Sequence, residues 1–415
     1  MFKAVDKWFL GYLRSLLNRP RAVSGTRHLI FCLCDHFEPF REGVNSGEAR
    51  RTVKNWLAAY PDAVRSGCDA DGRPPRHTFF YPQEDYDEEI LDQLAEFCRR
   101  GFGEVEIHLH HRHDTAEGLR EKLESFRDLL HTRHGLLGVE RPKGKLPGCQ
   151  AARLSGESPP EQSITTQQPD NPTTSSSIRY GFIHGNWALC NSRPDGDWCG
   201  VNEELRVLAG TGCYADFTFP SAPSPTQPRM VNAIYYAKDR VGRSRGADRG
   251  ELSSCQAAKL LRENPSYEPI ATQQLNHATT ASKLLLITGP LALNWSRRKW
   301  GVLPRLENAE ISGVNPPTSD RIRLWARQGI HVKGRSEWVF VKVHTHGCVP
   351  GNAGVLLGGA MRQARETLQR EFNDGRDWRL HYVTAREMYN LVRAAEAGAE
   401  GDPEPWRDFE VVWKP

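Results

Sequence analysis

The chain has 415 residues, 38 % of them hydrophobic and 26 % charged, enough to bury one large core or two modest ones. Its net charge of +4 is spread along the sequence, which argues against a dedicated nucleic-acid binder with a clustered basic face. No stretch reaches the roughly 18 consecutive apolar residues that a membrane span requires.

Residues 1–22 place Phe2, Trp8, Phe9, Leu10, Tyr12, Leu13, Leu16 and Leu17 among Lys3, Lys7, Arg14 and Arg19. Such an amphipathic segment either packs on its own domain or makes a peripheral contact with an anionic membrane surface. Arg14 breaks the apolar run too early for a signal peptide. The ten cysteines are scattered without a repeated CxxC pair, so they read as reduced thiols of a cytoplasmic protein rather than as a zinc ribbon.

From residue 23 to residue 400 short apolar runs alternate with helical patterns, the order expected of βαβ units around a parallel sheet. Strands are expected over 28–34, 77–81, 104–110, 180–184, 214–219, 284–288 and 338–346. Helices are expected over 47–60, 86–100, 116–134, 202–209, 353–372 and 385–398. Two segments interrupt the alternation. Residues 142–177 are rich in Pro, Ser, Thr and Gln and are expected to form a disordered insertion. Residues 240–282 read as a polar excursion with a short helix near 254–262, and 401–415 as a C-terminal tail.

The residues suited to chemistry fall at strand ends. The first strand closes on Cys34-Asp35-His36-Phe37-Glu38, and Pro39 then stops regular structure. Asp35 there is either a functional carboxylate or a helix cap. In the strand over 104–110, Val105, Ile107 and Leu109 share one face while Glu106, His108 and His110 share the other. Two imidazoles two residues apart point at one place, as a metal site requires, and His111 and His113 follow directly. The segment Ile183-His184-Gly185-Asn186-Trp187 offers polar groups and an aromatic suited to holding a sugar. Tyr214, Asp216 and Thr218 share a strand face ended by Pro220. Over 338–346, Val339, Val341 and Val343 oppose Lys342, His344 and His346, a second His-x-His at a strand end. Either histidine can serve as a general acid near neutral pH, or simply form hydrogen bonds on a polar face. Gly242-Arg243-Ser244-Arg245-Gly246 matches a nucleophile elbow in letters but lacks the strand–turn–helix context, and no P-loop or dinucleotide fingerprint occurs.

Asp35-His36, the His108/His110 pair and His344/His346, in this order on three strand ends, resemble the polysaccharide deacetylase superfamily, carbohydrate esterase family four. The resemblance spans most of the chain outside 142–177. It implies a distorted (β/α)7 barrel that removes acetyl groups from a polysaccharide or oligosaccharide with one divalent metal, usually zinc. It implies metal ligands among Asp35, His36, His108 and His110, with Asp35 as ligand or base. It also implies His346 or His344 as the acid, Asp216 as its orienting partner, and His184, Asn186, Trp187 and Tyr214 on the sugar. The match departs from the family in pairing Asp35 with a histidine rather than a second aspartate, and in the two-residue spacing of His108 and His110. A glycoside hydrolase using two of Glu38, Glu106 and Asp216 is the rival chemistry. A non-catalytic component of polysaccharide biosynthesis is the rival class.

Overall fold

The computed structural model describes residues 4–20, 23, 25–65, 67–142, 177–256 and 283–414. The interior of the expected insertion, 143–176, and the short helix near 254–262 from residue 257 onward lie outside the described residues. The strands are β1 (Arg27–His36), β2 (His77–Pro82), β3 (Gly103–Leu109), β4 (Gly138–Glu140), β5 (Ile178–His184), β6 (Cys213–Asp216) and β7 (Ile234–Lys238). They continue with β8 (Gly250–Leu252), β9 (Lys283–Ile287), β10 (Ala292–Lys299), β11 (Leu303–Glu307), β12 (Trp338–Thr345), β13 (Trp378–Val383) and β14 (Val411–Val412). The helices are α1 (Val5–Leu17), α2 (Ser46–Val64), α3 (Glu88–Arg99), α4 (Ala116–His134), α5 (Glu204–Gly210) and α6 (Ser319–Arg327). They end with α7 (Pro350–Leu357), α8 (Gly359–Phe372) and α9 (Ala385–Ala397).

Twelve strands form one mostly parallel sheet with the path β12-β1-β2-β3-β5-β6-β9-β7-β8. β1 is its centre. It pairs with β12 along one edge, and along the other with β13 at its start and β2 at its end. Within this sheet the antiparallel pairs are β9 with β7, β7 with β8, and β4 with β5 and β14, while β10 and β11 form a separate antiparallel pair. Among the described residues no ladder joins β8 or β9 back to β12. The two sides nevertheless approach closely. Lys342 Nζ donates to Phe217 O at 2.6 Å, and a Cβ on Gly289 would lie 2.3 Å from Lys342 O, so only glycine lets these backbones meet.

The period-two pattern sorts each strand into two faces. Leu29, Phe31 and Leu33, with Val339, Val341, Val343 and Val105, Ile107, Leu109, pack outward on the helices. Ile30, Cys32, Cys34, Phe80, Phe217, Leu285, Ile287 and Phe340 face inward. The inner face encloses α9, twelve of whose thirteen residues are buried. α9 is fixed at both ends by a Thr384/Glu387 capping box and by Gly398 in the left-handed region.

Every expected strand is present, as are the expected helices, with two changes. The helix expected over 353–372 is broken at Gly358, whose extended backbone separates α7 from α8. A Gly358-Gly359 pair gives helix little support. Residues 401–415 do not trail away: Val411 and Val412 pair with Glu140 and Val139, and Arg407 is buried among Asp69, Asp71 and Glu387. α1 docks through Trp8 and Tyr12 onto Ala222, Val231 and Leu291, while Leu10 and Leu17 stay 66 % and 78 % exposed. Among the described residues no helix is long and apolar enough to cross a membrane.

Candidate metal centre

The parallel strands all end on one side of the sheet, and period-two alternation stacks their inward residues in columns. β1 supplies Cys32, Cys34 and His36. β3 and the residue after it supply Glu106, His108 and His110. β12 and its exit supply Lys342, His344 and His346. The imidazoles therefore lie at the open end of each column. Just past β1, the Phe37 amide donates to Phe80 O at 3.0 Å, and this anchored turn brings Glu38 back over the same end.

Four imidazoles converge on Glu38 Oε1. His108 Nε2 lies 3.2 Å away, His110 Nε2 3.7 Å, and His36 Nδ1 and His346 Nε2 each 3.9 Å. The His36 ring is 4.8 Å from that of His108 and 4.7 Å from that of His346. Arg41 Nη1 holds the other Glu38 oxygen at 3.0 Å. Glu84 fixes His110 through both its backbone amide, at 3.1 Å, and its Nδ1.

The electrostatics suit a cation. Burial, then the neighbouring rings of His346, His108 and His344, hold His36 well below the usual imidazole range. Burial also lowers His108 against the pull of Glu38, and brings His346 down to about 4. Burial alone would raise Glu38, but the His108 hydrogen bond and the surrounding rings bring it down to about 2. Neutral imidazoles at His36, His108 and His346 facing an ionised carboxylate are the protonation states that ligation needs, whereas at His110 burial is outweighed by the Glu84 hydrogen bond and charge, which hold the ring above its usual range. His36 Nδ1 is buried and has no hydrogen-bond partner among the described residues. A buried ring nitrogen 3.9 Å from a carboxylate oxygen, too far for a hydrogen bond, leaves a gap that a bound divalent ion would fill, and the donor set fits one.

The cluster floors a cleft of about 920 Å3. Arg41, Glu84 and Asp85 line one side, Asn186, Trp187 and Trp198 another. Burial, with the charges of Glu84 and Glu38, raises Asp85 to about 6.

The expected site residues divide. His36, His108, His110 and His346 come together, and Asn186 and Trp187 reach the cleft. His346 was expected apart from the ligand cluster and stands within it. Asp35 does not join, because alternation turns it to the opposite face from His36. Its carboxylate accepts from His77 Nε2 at 2.7 Å and from the Gly347 amide at 2.6 Å, fully buried. His344 sits one step deeper, its ring 6.3 Å from that of His36. Asp216 accepts from the Thr218 hydroxyl and amide and orients neither histidine. Tyr214 lies under the site and donates to Glu106, and His184 is buried away from the cleft. Glu38, Glu84, Asp85 and Trp198 were not singled out as ligands or cleft residues. Only Glu38 carried a signal, having the same parity as His36 two residues earlier.

Two further buried groups could hold a metal ion: His111, His184, Cys199 and Glu204 beside the cleft, and His28, His381 and Asp402 at the opposite end of β1. No family model, curated protein or solved structure matches the chain.

Proposed function

We propose that the protein is a metal-dependent hydrolase that removes acetyl groups from a carbohydrate, on a sheet read as a distorted (β/α)7 barrel of the polysaccharide deacetylase type. The observation that carries this reading is the convergence of His36, His108, His110 and His346 on Glu38 at the floor of an open cleft. Zinc is the ion best suited to imidazole with carboxylate. A divalent ion there would polarise an acyl carbonyl and acidify water. The chain's own residues do the rest. His36 and His108, with Glu38, are the enclosed donors, while His110 and His346 face the cleft. Arg41 restrains Glu38, and Glu84 restrains His110. Asp85, rather than the buried Asp35, is the cleft carboxylate placed to take a proton. Trp187 and Trp198 offer faces for a sugar ring. A cytoplasmic role in exopolysaccharide synthesis agrees with the nine described cysteines all being free thiols.

The test is elemental analysis of the purified chain followed by acetate release from acetylated oligosaccharides. Chelation is expected to stop release and zinc to restore it, and His36→Ala with His108→Ala to remove one equivalent of metal. Acetate release that survives complete metal removal would overturn the reading. Glu38, Glu84 and Asp85 in one cleft favour the rival, a glycoside hydrolase, whose activity would persist after chelation.

A further inference from the structure

Between β5 and α5 the chain runs from residue 185 to 203 with no helix or strand, yet this loop carries the Asn186, Trp187 and Trp198 wall of the cleft. It is a costly conformation. Trp187, Cys190, Asn191 and Trp198 all have positive φ, between 52° and 66°, where non-glycine residues are disfavoured. Something must over-determine it.

The loop is gathered onto two buried side chains. Glu204, the first residue of α5, accepts the Cys190 amide on Oε2 at 2.6 Å. Cys199 Sγ accepts the Asn191 amide at 3.3 Å and the Val201 amide at 3.4 Å. Burial and the Glu204 carboxylate push the free Cys199 thiol up, so these two amides would help hold a thiolate only once a cation offsets that charge. Two strand ends add histidines. His111, next to the cleft-facing His110, places Nε2 3.1 Å from Glu204 Oε1. His184, at the end of β5, places Nε2 3.8 Å from the same oxygen. Cys199 Sγ is 3.3 Å from Glu204 Oε2. All four residues are at least nine-tenths buried, and their donor atoms lie within 4.8 Å of one another. In a tetrahedral zinc site the bond lengths put donor atoms roughly 3.3–3.8 Å apart, so a modest contraction completes one.

We propose that His111, His184, Cys199 and Glu204 form a second metal site, a closed structural zinc site that pins the 185–203 loop and thereby shapes the cleft wall. A thiolate selects zinc over magnesium or calcium. Four protein donors with no route for water make the site structural rather than hydrolytic. The metal-free account pairs a protonated His111 with Glu204 and lets the Cys199 thiol donate to it. That account leaves His184 Nε2 buried with no hydrogen-bond partner among the described residues, an uncompensated loss of its hydration. Ligation through Nε2 resolves it and makes Nδ1 the protonated nitrogen. The Asn186 amide, now 3.2 Å from Nδ1, must then turn away on loading.

The site does not depend on the cleft cluster, and the experiment keeps the two apart. The full-length chain is loaded with cobalt(II) as the probe. Because no cysteine belongs to the cleft cluster, a thiolate-to-cobalt charge-transfer band reports the second site alone. The band is expected in the wild type and in the His36→Ala/His108→Ala double variant. It is expected to vanish in Cys199→Ser with loss of one metal equivalent. Zinc is expected to shield Cys199 from a thiol reagent under mild denaturant. A wild-type chain that takes up cobalt without that band, or whose Cys199 reacts equally with and without zinc, overturns the proposal in favour of the His111–Glu204 ion pair. These wild-type readouts do not depend on the variant folding.

Discussion

The two ends of the parallel strands treat buried polar groups in opposite ways. At the amino-terminal end charges are matched. Arg386 bridges Glu104 and Asp408, Arg76 bridges Glu104 and Glu387, and Arg407 bridges Glu387, Asp69 and Asp71. At the carboxyl-terminal end His36 Nδ1, His108 Nδ1, His184 Nε2 and His344 Nδ1 are buried with no hydrogen-bond partner among the described residues. A network of paired charges fixes one arrangement and is indifferent to ligands, although single nitrogens in it, Arg76 Nε and Arg407 Nε, also lack a partner among the described residues. An undersupplied one is less stable as it stands and gains most when something binds. On the proposed reading the contrast separates the end that holds the fold from the end that would hold chemistry.

Four variants would break or sharpen that contrast. The largest effect is expected at the histidine end. His36→Ala with His108→Ala should abolish metal-dependent hydrolysis, with a loss of stability limited to the buried ring packing and the His108–Glu38 bond. A collapse of stability there would remove the distinction. Next, Arg386→Met removes the two-pronged partner of buried Glu104, leaving it only the longer contact to Arg76, and should cost about 3–5 kcal/mol in chemical denaturation. Cleft metal content per folded chain should stay constant. A loss under 1 kcal/mol would show that the lower network is not what holds the sheet.

The third concerns a buried acid between the two ends. Burial raises Glu106 from 4.5 to about 8, against the opposing bonds from Tyr214 and the Gly181 amide. An acid whose folded pKa is raised binds more protons folded than unfolded. Its contribution is therefore complete below about 4.5 and is lost as pH climbs toward about 8. Glu106→Gln should flatten the stability profile across that window, by on the order of a few kcal/mol. An unchanged slope would place the titration elsewhere. The smallest effect is expected at the rim. Trp187→Ala should raise KM about 3- to 10-fold with kcat little altered, the scale of one aromatic contact. A change in kcat alone would assign Trp187 to the loop's geometry instead of the sugar.

Much of this was legible in the sequence because it rests on period two. The columns under His36, His108 and His346, and the valines opposite them, follow from alternation along β1, β3 and β12. Asp35 was misplaced for the same reason applied too loosely: adjacent residues on a strand cannot share a face, so Asp35 and His36 could not both be ligands while β1 stayed extended. Glu84, Asp85, Cys199 and Glu204 were hidden for another reason. They enter from turns and from the first turn of α5, where no periodicity links them to the strands they meet. Strand β13 was missed because six residues between α8 and α9 carry little pattern of their own, and its pairing with β1 is set by tertiary contact.

The enclosure of α9 also bears on the order of events during synthesis. The inner faces of β1, β2 and β3 are made early, yet the helix that covers them follows all the parallel strands in chain order. Until it is made, Ile30, Cys32 and Phe80 have nothing to close over them, and the parallel ladders around them can already form. A nascent chain in that state is a trough lined with apolar side chains, the kind of species that associates with its own copies. Its contacts are also far apart in sequence, which slows the final step. The interval between completing β12 and inserting α9 is therefore when that apolar inner face stands uncovered.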